Sequence, residues 1–212
     1  MGLAAYQHLF VPATHPAAPP LLLLHGTGGT EHDLVSFGQS LSPGSALLAP
    51  RGDVSENGAP RFFRRFAEGV FDLDDVRRRT HALADFVTAA VTHYGLDGAH
   101  ITALGYSNGA NIAATLLLLR PEILTGAVLL RAMVVLDEAP PATTLAGRRI
   151  LLVNGSRDPI VPADHPPRLA ALLRAGGADV TVRVTPAGHG LTRDDLTSAG
   201  RWLAEPRRAA RH

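Results

Sequence analysis

The pentapeptide Gly105-Tyr106-Ser107-Asn108-Gly109 lies between an apolar run of strand character, His100 to Leu104, and an Ala/Leu-rich run of helical character from Ala110. G-x-S-x-G in that setting is the pattern of a nucleophile elbow, a sharp strand-to-helix turn that lifts a serine Oγ above the edge of a sheet. Such a turn is crowded, so the positions two residues either side of the serine must lack side chains. Gly105 and Gly109 meet that demand. The five residues alone would also suit an ordinary Gly/Ser turn, and it is the flanking strand and helix that narrow the reading.

Short apolar runs of strand length recur along the chain: Tyr6 to Val11, Leu21 to Leu24, Ala46 to Ala49, Ile101 to Leu104, Gly126 to Leu130, Ile150 to Val153 and Val180 to Val184. Several lack polar alternation, as strands covered on both faces do. Between them, Leu73 to Tyr94 sets Val76, Leu83, Val87, Ala90, Val91 and Tyr94 on one side at helical spacing, with Arg77, Arg78 and Arg79 toward solvent and Gly95 as a stop. Ala110 to Leu119 is apolar nearly all round and ends before Pro121, which marks a buried central helix. Strands alternating with helices predict an α/β fold with a mostly parallel sheet of about seven strands and helices on both faces.

At 212 residues and 46% hydrophobic, the chain can bury one sizeable core and is short for two domains. One domain over 1–204 is expected, with an Arg-rich, frayed tail over 205–212. The formal net charge of +1 and the lack of any block of five like charges give no reason to expect nucleic acid or a membrane surface as a partner. Without cysteine there is no disulfide framework, thiolate metal site or cysteine nucleophile, so covalent chemistry must fall to another residue. The first twenty residues carry neither a basic n-region nor an apolar h-region, and no apolar stretch is long enough to span a bilayer. A soluble, cytoplasmic protein with no membrane partner is the expectation.

A serine hydroxyl needs a base, and the base needs an acid that holds its tautomer. Among the histidines after Ser107, His212 is terminal and His165 sits in Asp164-His165-Pro166-Pro167 with no strand just before it. His189 follows the run Val180 to Val184 inside Ala187-Gly188-His189-Gly190-Leu191, where glycines leave room for a catalytic loop, and is the expected base. For the acid, Asp158 comes directly after Ile150 to Val153 and is favoured over its rivals Asp137 and Asp164. Acyl transfer also needs backbone donors for a negative oxygen. Asn108 N–H at the start of the central helix and Thr27 N–H in His25-Gly26-Thr27-Gly28-Gly29 are the candidates for this oxyanion hole, with His25 shaping the loop. Thr30-Glu31-His32-Asp33 then reads as a capping box that anchors it. That glycine loop lacks both G-x-x-x-x-G-K-[ST] and G-x-G-x-x-G, and the histidines form no metal-ligand spacing, so neither cofactor nor metal is expected.

Arg51 to Phe66 reads as a long loop leaving the same sheet edge as the serine, and it holds Phe62, Phe63 and Phe66. These are the expected walls of an acyl pocket, with Arg61, Arg64 or Arg65 near its mouth and Met133 and Leu136 as further candidates; the same aromatics would equally serve to cover the core.

The chain resembles the phospholipase/carboxylesterase branch of the α/β-hydrolases, and within it the small bacterial hydrolases associated with hydroquinone and catechol resistance. The resemblance is carried by Leu24-His25-Gly26-Thr27-Gly28-Gly29, Arg51-Gly52-Asp53, Pro60 to Arg65, Gly105 to Asn111, Asn154-Gly155 with Asp158-Pro159, and Gly188-His189. It implies an α/β-hydrolase fold without a large cap domain, a Ser107-Asp158-His189 triad, an oxyanion hole from Thr27 and Asn108, no cofactor, and hydrolysis of small carboxylic esters. One departure stands out: Leu130-Arg131-Ala132-Met133-Val134-Val135 replaces the usual Leu-Arg-Pro-Met-Val-Pro, removing two stiffening prolines. A serine carboxylesterase acting on short-chain esters, as monomer or homodimer, is the leading expectation. A thioesterase or lysophospholipase with the same triad, and a ligand receptor with vestigial hydrolysis, are the alternatives.

Overall fold

The computed structural model describes residues 2–15 and 17–205. Except for Glu205, the expected tail lies outside the described residues. In chain order the elements are β1 (His8–Val11), β2 (Leu21–Leu24), α1 (Val35–Leu41), β3 (Leu47–Pro50), β4 (Val54–Glu56), β5 (Ala59–Arg61), β6 (Arg65–Ala67), β7 (Val70–Phe71), α2 (Leu73–Tyr94), β8 (Thr102–Tyr106), α3 (Asn108–Leu119), β9 (Gly126–Leu130), β10 (Arg149–Gly155), α4 (His165–Ala175), β11 (Asp179–Thr185) and α5 (Arg193–Ala204). Seven strands form one sheet in the order β1-β3-β2-β8-β9-β10-β11. All its pairings are parallel except that of β1 with β3. The expected α/β-hydrolase architecture is therefore present, each of its strands overlapping one of the seven apolar runs.

Why these runs are continuous rather than alternating is clear from β2. Leu22 and Leu24 face the core that holds Val76, Leu83 and Phe86 of α2 and Ile112 and Leu116 of α3. Leu21 and Leu23 face the other way, toward Leu34 near α1 and Ala199 and Trp202 of α5. All four leucines are buried, each worth about 1.5–3 kcal/mol of transfer free energy. Helix α2 starts at Asp72, whose side chain accepts from Asp75 N–H, and stops at Gly95 in the left-handed region (φ 63°).

Two expectations are corrected. The segment after β3 is not a loop but two hairpins, β4 with β5 and β6 with β7; the first turns on Asn57-Gly58 with φ of 51° and 86°, a sequence that favours such turns. The capping box at Thr30 does not form either. Helix α1 begins one turn later, with Leu34 at its N-cap and no side-chain cap, and the buried Glu31 carboxylate is held by Arg51 (Nε to Oε2, 2.5 Å) and Gln7 (3.0 Å). Thr30 Oγ1 donates to Asp33 instead.

Candidate active site

Ser107 directly follows β8 and caps α3 with φ 52° and ψ −115°, a conformation that costs a non-glycine residue about 1–3 kcal/mol and is held by its surroundings. Its N–H donates to Leu130 O (2.8 Å) and its carbonyl accepts from Asn111 N–H (2.9 Å). A Cβ at Gly109 would lie 2.0 Å from Leu24 O, and one at Gly105 2.7 Å from Ala110 Cα. The two glycines of the motif are thus required by contact with β2 and with the first turn of α3.

Three loops at one end of the sheet meet at Ser107. The loop after β11 carries His189, whose Nε2 lies 2.9 Å from Ser107 Oγ. On its other side, Nδ1 lies 2.9 Å and 3.1 Å from the two carboxylate oxygens of Asp158, on the loop after β10. A carboxylate facing Nδ1 fixes the proton there and leaves Nε2 free to accept from the serine. The Asp158 side chain is fully buried, and its Oδ1 also accepts from Ile160 and Val161 N–H (2.8 and 3.1 Å). The rivals lie elsewhere: exposed Asp137 and Asp164 both pair with Arg168 (2.6 and 3.0 Å). His165 opens α4 and accepts from Val134 N–H at Nδ1.

The glycine loop after β2 brings Thr27 to the same cavity as Ser107, Asn108 and His189. Asn108 occupies the first turn of α3, where N–H groups have no helical partner. The loop is braced from two sides. Gly28 N–H donates to Pro60 O in β5 (2.9 Å), and Arg61 donates to Thr27 Oγ1 (2.6 Å). Beneath it, His25 Nε2 accepts from Gly52 N–H (2.9 Å) while Nδ1 faces Gly26 O (2.6 Å). This pairing requires the neutral ring with its proton on Nδ1, and burial accordingly lowers the His25 pKa from its ordinary value. His25 therefore has the structural place expected of it.

The asparagines after Ser107 bolt the cavity walls. Asn108 Oδ1 accepts from Phe62 N–H and Asn111 Oδ1 from Met133 N–H, both at 2.7 Å; Asn154 Nδ2 donates to Ala132 O (3.1 Å). The segment 131–135, short of two prolines, is tied down by these side chains.

The cavity beside Ser107 measures about 240 Å3, with Met133, Phe71, Ile160, Tyr106 and Arg65 in its walls. Of the expected wall residues, Met133 is there. Phe62, Phe63 and Leu136 are core residues, the two phenylalanines with no exposure at all, because the Phe62 ring turns inward against His25 and the Phe63 ring sits beneath Phe71. Phe66 is 76% exposed and points away. Phe71, missed in the sequence, takes the expected role through the β6–β7 hairpin, and Asn111 could have been found from its position one helical turn after Ser107. A larger hollow of about 460 Å3 lies around Thr102, Gly126 and Arg149, at the opposite ends of the strands, and holds none of these groups.

Sheet order, elbow and histidine loop together define an α/β-hydrolase, and residues 7–205 match the phospholipase/carboxylesterase family, to which the chain belongs. Among its relatives is Bacillus subtilis MhqD, named as a hydrolase, 43% identical over 187 residues that cover 87% of this chain and 92% of that protein. Similar solved structures include a Bacillus cereus carboxylesterase (41% identity, TM-score 0.91, covering 93% of each chain) and a Mesorhizobium loti carboxylesterase (37% identity, TM-score 0.88, covering 95% and 96%).

Proposed function

We propose that the protein is a serine carboxylesterase that hydrolyses small, short-chain carboxylic esters through an acyl-enzyme. The observation that carries this reading is the 2.9 Å approach of His189 Nε2 to a serine Oγ held on a strained elbow. His189 takes the Ser107 proton as Oγ attacks the ester carbonyl, the resulting oxyanion is met by Thr27 and Asn108 N–H, and the same imidazole returns the proton to the departing alkoxide. Water, activated by His189, then releases the acid. Asp158 holds the tautomer and offsets the imidazolium charge. The 240 Å3 cavity favours short acyl groups over the long chains of a lysophospholipid, and the carboxylesterases among the similar structures favour oxygen esters.

The test is a series of p-nitrophenyl esters from acetate to decanoate beside an acyl thioester and a lysophospholipid, with a fluorophosphonate probe. Acetate to butyrate should give the highest kcat/KM, and the probe should add once, at Ser107. Absence of ester turnover, labelling at another serine, or a preference for the lysophospholipid would each refute the proposal.

A further inference from the structure

The loop that carries His189 cannot hold itself in place. It is flanked by Gly188 and Gly190, which have no side chains to pack, and the ring it presents must stay in line with Asp158 and Ser107. The carbonyls of residues 188, 189 and 190 are nevertheless each fixed by a donor from another strand end. Tyr106 OH donates to His189 O (3.2 Å). Arg131 Nε donates to Gly188 O and its Nη2 to Gly190 O, both at 3.0 Å.

Arg131 has no exposed surface and follows β9 with φ 60°. Its remaining donors reach Val153 O on β10 (3.2 Å) and the two oxygens of Asp195, equally buried, at 3.2 and 2.6 Å. All five N–H donors of the guanidinium are used, a set that the three donors of an ammonium cannot reproduce. Asp195 in turn accepts from Thr185 Oγ1 at the end of β11 and from Thr192 N–H and Oγ1 at the start of α5 (3.0, 2.7 and 2.8 Å). Both ends of the histidine loop are thereby tied to the same carboxylate. Burial alone would raise that carboxyl's pKa, but the hydrogen bonds from Arg131, Thr192 and Thr185 outweigh it and hold it below the usual range.

We propose that Arg131, locked by Asp195, is a positioning residue for the proton transfer: it fixes the carbonyls on either side of His189 and so sets the alignment of the imidazole with Ser107. The role rests on the reading of His189 as the base. An ion pair that merely supported the fold would, when replaced by apolar side chains of similar volume, lower the melting temperature but leave kcat of the folded molecules unchanged, whereas loss of a pair that aims the imidazole lowers kcat as well.

The experiment uses the full chain with Arg131→Met and Asp195→Leu combined, so that no buried charge is left alone, and Arg131→Lys by itself. Thermal melts, kcat and KM on a short p-nitrophenyl ester, and the rate of fluorophosphonate addition to Ser107 are measured. The double variant should melt below the parent, because the Gly188 and Gly190 carbonyls and the Thr192 N–H lose their side-chain partners, yet stay folded at the assay temperature while kcat falls on the order of 10²-fold, as for a small misplacement of a catalytic group. KM should change little, and probe addition should slow in step with kcat. Arg131→Lys should lose about tenfold in kcat despite keeping the charge. Parent-like kcat in a stably folded double variant, or in Arg131→Lys, overturns the proposal; if the double variant gives no cooperative melt, Arg131→Lys decides. A parent protein that neither turns over esters nor labels at Ser107 overturns the underlying triad, a failure distinct from that of the positioning role.

Discussion

Replacing Phe62 and Phe71 by alanine, one at a time, separates core from cavity wall in a segment where the sequence left both open. Phe62 has no exposed surface and packs in the core shared by α2 and α3, with its ring 4.8 Å from that of His25. Truncation there costs about 3–5 kcal/mol. At roughly 2–4 °C per kcal/mol for a chain of this size, Phe62→Ala should melt roughly 6–20 °C below the parent. Phe71 is partly exposed, meets Phe63 edge-on at 5.6 Å and lines the cavity beside Ser107. Phe71→Ala should cost only a few degrees and enlarge the cavity, and each additional methylene then accommodated should be worth about tenfold or more in kcat/KM. The assay is a thermal melt beside acyl-length profiles on p-nitrophenyl esters. A parent-like acyl profile in Phe71→Ala, or a shift toward longer chains in a thermally intact Phe62→Ala, would refute the placement of the wall.

Phe66→Ala should leave both melt and profile within experimental error, since the ring is 76% exposed and such surface changes are usually worth less than about 0.5 kcal/mol. Asp158→Asn should keep the fold and lower kcat by about 10³- to 10⁴-fold, while Asp137→Asn and Asp164→Asn, whose carboxylates pair with Arg168 at the surface, stay near the parent rate; the reverse order would reassign the acid. Burial lowers the folded-state pKa of His25, so the contribution of its neutral form is complete above the unfolded value of about 6.5 and is lost as pH falls below it toward the folded value. Denaturant midpoints between pH 7.5 and 5.5 should therefore drop less in His25→Gln than in the parent, and equal drops would contradict the assignment. Gly109→Ala should fail to fold or lose most of its stability, because the added carbon would meet Leu24 O at 2.0 Å; a stable, active variant would show that the elbow tolerates more than its geometry allows.

What could be read in the sequence follows from what leaves a local trace. The sheet strands are apolar on both faces and so appear as unbroken runs, and the elbow is marked by glycines that contacts with β2 and α3 impose. His189 and Asp158 could be singled out because each follows a strand run directly and sits among glycine or proline residues. The cavity walls left no such trace. Whether Phe62 or Phe71 faces the serine depends on the two hairpins, whose strands are two or three residues long, too short for a periodic pattern. Arg131 stood out only as part of a motif; its partners are 22 to 64 residues away in sequence, and nothing local announces a buried ion pair.

The spacing of the proposed triad along the chain also bears on how activity is gained. Ser107 and His189 are 82 residues apart and Asp158 and His189 are 31 apart, and they meet only after parallel neighbours β8, β9, β10 and β11 have been brought side by side across long connections. Closing such connections is slow relative to forming a helix. A chain refolding from denaturant should recover its helical circular dichroism before it recovers esterase activity, with the lag set by assembly of the β10 and β11 edge that delivers the imidazole.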